Sequence, residues 1–279
     1  MRMIFAALAT ALLAGTPAWA QSESKPLPDP FDNRDTLTIG AAAAFLPDYE
    51  GSDDYRFIPA PVIRGRVSGH SFYSKGSYVY FDLVPRTPGK FSFNAGPIAG
   101  VRFNRRSKIH DPVVDLLPRR KTAIELGAFA GVSLSGLTNP YDSLGVHVDV
   151  VHDVAGAHRS TVITPSVDFA TPLSRHTYVS LSASADFVGD RYARYYYSIS
   201  PAEAVASGLP AFDASGGYKN WKLSLIANQS LTGDLLHGLS LFGTGSYARL
   251  QNDFRRSPIV NQRGSPTQWL GAVGLAYTW

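Results

Sequence analysis

Apolar and polar side chains alternate one by one over the last twelve residues of the chain. Trp269, Val273, Leu275, Tyr277 and Trp279 share one parity, and the other parity holds residues that are mostly small or polar. Side chains of a β-strand point alternately to opposite faces, so residues 268–279 are predicted to form a strand with one apolar, aromatic-tipped face. An apolar face opposite a small or polar one is typical of a barrel strand that has lipid outside and a hydrated interior.

The same alternation recurs in segments of roughly ten residues that turn residues separate. It is clearest at 177–187, where Val179, Leu181 and Ala183 alternate with Ser180 and Ser182. Further strands are predicted at 37–45, 57–67, 70–75, 77–84, 91–104, 122–134, 143–151, 161–170, 218–229 and 239–250. The pattern predicts an all-β, antiparallel transmembrane barrel of outer-membrane type over residues 36–279, with twelve strands. Ten strands is the alternative, if the weak region at 70–84 forms one bent strand.

The lengths of the predicted loops orient this barrel. Outer-membrane barrels have an even strand count, short periplasmic turns and longer outer loops. With the C-terminus placed in the periplasm, the short connections at 85–90, 137–142, 172–176 and 232–236 all fall on the periplasmic side. The long segments at 47–56, 105–121, 189–217 and 251–265 all fall outside. A soluble β-sandwich has no reason to alternate short and long loops in this way.

Both ends of the chain carry targeting signals. Residues 1–20 contain Arg2, an apolar stretch and a small-x-small ending, which is the pattern of a secretory signal peptide. Residues 21–35 follow as a periplasmic tail rich in Pro and Asp. The aromatic residues Tyr277 and Trp279 resemble the C-terminal assembly signal of bacterial outer-membrane barrels. The chain is therefore predicted to lie in the bacterial outer membrane.

Several sequence blocks resemble the MipA/OmpV family of outer-membrane proteins. They are Pro-Asp-Tyr-Glu-Gly-Ser-Asp-Asp-Tyr-Arg at 47–56, Ile-Glu-Leu-Gly-Ala at 124–128, Tyr-Tyr-Tyr-Ser-Ile-Ser at 195–200, the segments 207–210 and 212–214, and Ser-Pro-Ile-Val at 257–260. The resemblance covers most of the chain after the signal peptide. It brings no catalytic residues with it.

The resemblance also implies a function. The member that gives the family its name is implicated in scaffolding murein synthesis, where it bridges a lytic transglycosylase and a murein polymerase. Other members are described as adhesins or immunogenic surface proteins. We therefore expect a non-enzymatic scaffold or structural surface protein whose partners are periplasmic murein enzymes. A channel for small solutes is the main alternative, and an adhesin is the next.

Charge and composition add two expectations. The formal net charge is +4 and there is no cysteine, which excludes disulfides, a lipid-modified cysteine anchor and cysteine nucleophiles. Nucleic acid is not an expected partner for an exported chain. Six basic residues flank one outer loop, at the height of lipopolysaccharide phosphates, and are predicted to contact them: Arg105, Arg106, Lys108, Arg119, Arg120 and Lys121.

The sequence gives little support for a metal site or a catalytic site. Asp48, Glu50 and Asp54 lack the closing Glu of a calcium loop, and Gly51 with its polar neighbours is ordinary turn chemistry. His147 and His152 are separated by an odd number and would face opposite sides of one strand, which argues against a metal site that includes His158. The sequence contains no G-x-S-x-G motif. We predict no cofactor, no metal and no enzymatic activity.

The sequence also predicts which residues lie at the membrane interface and which charged residues line the bore. The tyrosines Tyr192, Tyr195, Tyr196 and Tyr197 are expected in the aromatic girdle at the membrane interface, with sugar stacking as the alternative. The inward parity holds charges of both signs, which are able to pair across a narrow bore and fill it. These predicted lumen charges are Arg64, Asp82, Arg102, Glu125, Asp149, Asp168, Asp186 and Lys222, with His147 beside them.

Overall fold

The computed structural model describes residues 34–85 and 89–279. Within them, twelve antiparallel strands form a closed barrel in which sequential strands pair and the last strand closes onto the first. The strands are β1 Thr36–Pro47, β2 Tyr55–Val67, β3 His70–Lys75, β4 Tyr78–Phe81, β5 Phe91–Arg102, β6 Ala123–Ser135, β7 Ser143–Asp153, β8 Thr161–Pro172, β9 Thr177–Val188, β10 Gly217–Ser230, β11 Gly238–Leu250 and β12 Thr267–Thr278. The twelve-strand prediction is confirmed, since β3 and β4 are separate strands.

The two ends of the barrel differ. We call the end that holds Arg34 and Trp279 the lower end and the opposite one the upper end. The predicted signal peptide at 1–20 and residues 21–33 of the predicted tail at 21–35 lie outside the described residues. Short turns connect the strands at the lower end, and the long loops lie at the upper end, as the loop lengths predicted.

The two faces of the wall follow the sequence alternation. Outward residues such as Leu181, Val273 and Leu275 are exposed, whereas Ala42 and Ala276 on the inward parity are buried. An outward apolar band with aromatic residues at both edges is the surface that lipid requires. At the upper edge this girdle includes ring pairs of Trp221 with Tyr247 and of Tyr247 with Trp269.

Strand β4 is shorter than the sequence predicted. It ends at Phe81, although the backbone N–H of Asp82 still donates to the carbonyl of Ser71 on β3 at 2.7 Å, and beyond that point the carboxylate of Asp82 competes for backbone N–H groups. The Oδ1 atom of Asp82 accepts from the backbone N–H groups of Val84 and Ala95, at 3.0 and 3.2 Å. A side chain that bonds nearby backbone groups offers the chain an alternative to the sheet.

The upper half of β2 pairs with β1 on one side and, among the described residues, with no strand on the other. β3 pairs with β2 only from Arg64 to Val67. Ile63 donates its N–H to Oγ of Ser74 on β3 at 3.0 Å, so the odd positions of β2 point their backbone groups toward that side. Pro59 and Pro61 share this parity. Both prolines therefore lack an N–H where the strand has no partner.

The long loops fold over the upper end and form what we call the cap, residues 48–54, 103–122, 154–160, 189–216 and 251–266. It contains a 3-10 helix, Val114–Leu116, and four short helices, α1 Asp190–Tyr197, α2 Pro201–Ser207, α3 Asn252–Arg256 and α4 Pro258–Asn261. Its apolar core is made of Tyr49, Ile109, Val114, Leu117, Tyr192, Ala193, Tyr196, Tyr197, Ile199, Leu209, Ala214, Phe254, Ile259 and Val260. No helix of the described chain is long and apolar enough to cross a membrane.

Local sequence explains the two longer cap helices. In α1, Tyr192, Ala193, Tyr196 and Tyr197 recur at helical spacing and are all buried, which gives the helix one packed face. In α2, the side chains of Ser200 and Glu203 cap each other's backbone N–H groups, and Gly208 ends the helix with a positive φ of 73°. The strand pattern of the sequence predicts a loop over 189–217 and does not reveal this capping pair.

Candidate functional site at the upper end of the barrel

Glu50 is the centre of a network that ties the cap to the barrel wall. Its carboxylate accepts hydrogen bonds from the hydroxyls of Tyr192 and Tyr197, at 2.7 and 2.9 Å. It also lies 3.1 Å from a guanidinium nitrogen of Arg102 and 3.3 Å from Nζ of Lys219. One carboxylate from the first outer loop therefore holds helix α1 and two strands of the wall together.

Arg102 extends the network to a second carboxylate. Its Nε lies 2.9 Å from Oε1 of Glu125 in a second pair that is shielded from water. Glu125 also accepts from the hydroxyl of Tyr78 and lies 2.8 Å from Nε2 of His158. Charge-assisted hydrogen bonds of this kind are roughly twice as strong as neutral ones. The second network fixes the loop between β7 and β8 over the bore.

Lys219 points into the bore because β10 is irregular there. The pairing of β10 with β9 shifts between Tyr218 and Asn220, so Lys219 is the extra residue of a β-bulge. Bulges re-aim side chains, and this one turns Lys219 inward to lie 3.2 Å from Asp186 and 3.3 Å from Glu50. Plain alternation would place residue 219 outward, so the sequence does not predict this inward lysine.

The tyrosines of α1 do not belong to the aromatic girdle, so that prediction was wrong. Tyr192, Tyr196 and Tyr197 are fully buried in the cap, and their rings contact His158, Phe254 and one another. The charged groups of Arg102 and Lys219 lie 5.3 and 5.2 Å from the centroid of the Tyr192 ring. Helical spacing, rather than the period of a strand, was the signal for this burial.

The charge around Glu50 predicts how the cap responds to acid. Partial burial alone would raise its pKa, but Lys219, Arg102 and the two tyrosine hydroxyls outweigh this and lower the pKa of Glu50 to about 2. A carboxylate with a lowered folded-state pKa stabilises the fold above its unfolded pKa, which is about 4.3, and loses that contribution as the pH falls toward the folded value. We expect hydrogen exchange of the α1 amides, corrected for intrinsic rates, to be constant from pH 8 to 5 and to accelerate between about 4.5 and 2.

A matched pair of variants tests that assignment. Glu50→Gln should show accelerated exchange already at neutral pH and little further change in acid, because its side chain cannot titrate. Asp53→Asn changes an exposed carboxylate of the same loop and should keep the profile of the unchanged protein. An acid transition that survives in Glu50→Gln would assign the effect to another group.

A second polar cluster lies lower in the bore. Oγ of Ser166 is 2.7 Å from Nε2 of His147, and Nδ1 of His147 is 3.0 Å from Oδ2 of Asp168. These residue types match a hydrolase triad, but Ser166 is only 3% exposed and, within the described chain, Oδ2 of Asp168 accepts no hydrogen bond of good geometry. The tyrosine hydroxyl of Tyr80 donates to Asp149 at 2.8 Å in the same region. We interpret the cluster as inward polar groups that contact one another in the bore rather than as a catalytic triad.

The structure divides the predicted lumen charges into groups. Arg102, Glu125 and Asp186 belong to the upper network around Lys219 and Glu50. Asp149 and Asp168 lie beside His147. Asp82 accepts a backbone hydrogen bond from Val84 just after the end of β4. Arg64 lies opposite Tyr73 in the pairing of β2 with β3. Lys222 lies on β10, three residues after the bulge at Lys219. Opposite charges are thus paired chiefly at the upper end.

The structure also divides the six basic residues predicted to contact lipopolysaccharide. Arg105 is 2% exposed and donates to the backbone oxygen of Tyr196 at 3.2 Å, so it cannot reach a lipid phosphate. Burial lowers the pKa of Arg105 to about 10, and nearby Arg120 adds to this. Arg120 pairs with Glu203 at 3.2 Å. A contact with lipid phosphate remains a prediction for the four exposed residues: Arg106, Lys108, Arg119 and Lys121.

Asp48 has partners other than a metal ion. Its Oδ2 atom accepts from the backbone N–H of His110 at 2.8 Å, and its Oδ1 atom lies 3.2 Å from Arg56. A guanidinium at that distance occupies the side of the carboxylate where a cation would bind. Over residues 34–85 and 89–279, no group of three or more His, Asp or Glu is arranged to hold a metal ion.

Sequence comparison assigns the chain to a family. The profile of the family described as MltA-interacting protein MipA matches residues 39–279, which is nearly the whole barrel. The chain belongs to this family. The match includes both the first outer loop with Glu50 and the segment of α1. A comparison with curated proteins gave no match.

Solved structures with a similar fold are outer-membrane barrels. An outer membrane channel from Pseudomonas putida F1 is 10% identical, with a TM-score of 0.45 and coverage of 95% of this chain and 99% of that one. The CymD monoaromatic hydrocarbon channel is 10% identical, with a TM-score of 0.42 and coverage of 88% of each chain. An anion-selective porin from Comamonas acidovorans is 9% identical, with a TM-score of 0.39 and coverage of 88% and 99%. The protein is a bacterial outer-membrane barrel. Because the long loops of such barrels lie outside, we expect the cap to face the cell exterior and the short turns to face the periplasm.

Proposed function

We propose that this protein is a non-enzymatic scaffold that holds murein-processing enzymes at the periplasmic face of the outer membrane. The observation that carries the proposal is the closed upper end of the barrel. The family description names an interaction with MltA, and this supports a periplasmic enzyme as the partner.

The cap argues against an open pore in this state. Its core residues are buried, and the loop that carries Glu50 is tied to α1, β5 and β10 by charged hydrogen bonds. An aqueous pore needs a continuous polar path, whereas a packed apolar layer with tyrosines at its centre excludes water. A barrel closed on the outside is suited to a role that depends on its periplasmic surface.

The short periplasmic turns offer little surface for a partner. Stable interfaces bury on the order of 800 Å² per partner, which is more than turns of a few residues present. The tail at 21–35 carries Pro26, Pro28 and Pro30 among acidic residues. This composition favours an extended, solvated segment that is able to lie along a partner.

Deletion of residues 22–33 tests the tail as the binding segment. We expect the truncated protein to assemble normally and to lose pull-down of a purified periplasmic lytic transglycosylase. Heat-dependent gel migration reports assembly of the barrel, and a variant that replaces the same residues with a Gly/Ser segment of equal length controls for spacing. Pull-down that persists after the deletion would place the interface on the turns.

One observation favours a channel as the second candidate. Ile58, Ile226 and Leu270 lie on the inward parity, yet they keep 37%, 44% and 38% exposure. Their exposure indicates open space in the bore below the cap, on the side where β1 and β12 carry small residues. Planar-bilayer recording separates the two functions, because the scaffold predicts no single-channel steps with the cap intact. Steps from the unchanged protein, together with no pull-down, would contradict the scaffold and favour the channel.

A further inference from the structure

Two depressions meet at the outer rim above β8 and β9. One is a groove of about 430 Å³ on the outer wall, and the other is a cleft of about 910 Å³ on top of the cap. Arg159 and Arg191 line both of them. The two arginines therefore stand where the lipid-facing wall turns into the exterior surface.

The wall groove is apolar below the arginines. Ile163 on β8 and Phe187 on β9 are paired in register, face outward and are 42% and 41% exposed. They are the uppermost apolar residues of an outward band that continues through Val167 and Leu181. Because an acyl chain in the outer leaflet lies against this band, the groove sits at the boundary between hydrocarbon and headgroups.

Arg159 and Arg191 have no anionic partner of their own. Both are exposed, and within the described chain neither guanidinium has a carboxylate within 4.0 Å, although Arg120 pairs with Glu203 and Arg194 with Asp213 in the same cleft. Arg159 also has a positive φ of 47°, which a non-glycine residue adopts rarely. Its N–H is held by Asp153 at 2.9 Å. The backbone is thus fixed in a way that positions an unpaired cation at the rim.

The cleft above offers surfaces suited to sugar. Tyr195 and Phe212 line it together with the charged groups of Arg194 and Asp213. Aromatic rings beside charged groups can contact the apolar face of a sugar ring and hydrogen-bond its hydroxyls. The site therefore has three parts, apolar, cationic and mixed aromatic-polar, in order from the bilayer outward.

We propose that this site binds a phosphorylated glycolipid of the outer leaflet. The acyl chains lie on Ile163 and Phe187, a phosphate lies between Arg159 and Arg191, and the sugar extends toward Tyr195. Arginine matches the geometry of a phosphate because its planar fork donates two parallel hydrogen bonds. The proposal is independent of the scaffold function.

Binding to nanodiscs tests the site. The full-length protein is placed in phosphatidylcholine nanodiscs that contain a bisphosphorylated hexa-acyl glycolipid, and native mass spectrometry counts the glycolipid bound. Arg159→Gln with Arg191→Gln should weaken binding at least about tenfold, the effect expected from loss of two charge-assisted contacts. Arg249→Gln with Arg255→Gln removes the same charge from exposed positions on β11 and α3 and should leave binding unchanged. Heat-dependent gel migration confirms that each variant is folded.

Further arms separate the possible ligands. The same glycolipid without phosphates should bind at least about tenfold more weakly, and inorganic phosphate or phosphatidylglycerol should not compete. Competition by inorganic phosphate would overturn the glycolipid and leave a simple anion site. Equal loss in the Arg249 and Arg255 control would reduce the effect to overall charge. Loss only in a variant of Arg106, Lys108, Arg119 and Lys121 would move the site to the loop between β5 and β6.

Discussion

Lys219→Met should loosen the cap by about 3 kcal/mol, the lower end of what breaking a buried ion pair costs. Lys219 is 2% exposed and lies between Glu50 and Asp186, so its loss leaves two carboxylates close together without their shared cation. The estimate is at the lower end because Glu50 keeps 30% exposure and retains Arg102. Hydrogen exchange of the α1 amides should accelerate by roughly two orders of magnitude.

Lys222→Met is the matched control for this prediction. Lys222 lies three residues further along β10 and is half-buried, but no carboxylate of the described chain forms an ion pair with it. Its replacement removes the same charge from the same strand and should accelerate α1 exchange much less than Lys219→Met does, because Lys222 forms no ion pair with Glu50 or Asp186, although its charge is near Asp186. Trypsin cleavage after Arg191 and Arg194 provides a second readout. Equal effects of the two variants would contradict the role of the bulge.

Leu181→Arg should destabilise the barrel by about 2–4 kcal/mol, the cost of a cation on the lipid face near the middle of the bilayer. Leu181 is 55% exposed, lies near the middle of β9 and pairs with Leu225 and Phe169. Lipid offers no partner for the guanidinium, whereas water does in the unfolded chain. Folded yield in the outer membrane and the urea midpoint of the heat-modifiable band measure the loss.

Ser182→Arg is the control on the opposite face. Ser182 points into the bore beside Asp168, where an arginine would find both water and a carboxylate. We expect a change below about 1 kcal/mol, as for exposed ion pairs. A barrel that tolerates both arginines equally would contradict the assignment of inward and outward faces.

Strand positions were predictable because lipid and the bore impose strict alternation. In β9, one residue out of two must be apolar, so the faces of Leu181 and Ser182 follow from the sequence. The end of β4 was not predictable, since the carboxylate of Asp82 competes with the ladder through contacts to Val84 and Ala95. Local alternation does not report such a competition.

The cap resisted prediction for two different reasons. Lys219 lies on a bulge, and one extra residue reverses which face a side chain occupies, so parity assigns it wrongly. Glu50, Tyr192 and Arg102 are far apart in sequence and meet only because the closed barrel brings their loops to one end. The family resemblance did identify the blocks that hold Glu50 and the tyrosines, although it gave them no structural role.

The prolines of β2 bear on how barrels coexist in a crowded membrane. A strand edge that is free on one side is a template onto which the edge of a neighbouring molecule can add. Pro59 and Pro61 place ring carbons where two donors would otherwise face that neighbour, so a foreign strand would find acceptors without matching N–H groups. In hydrocarbon such mismatched contacts are especially unfavourable, since no water can replace the missing bonds. Addition of a foreign strand at the upper half of β2 is therefore disfavoured.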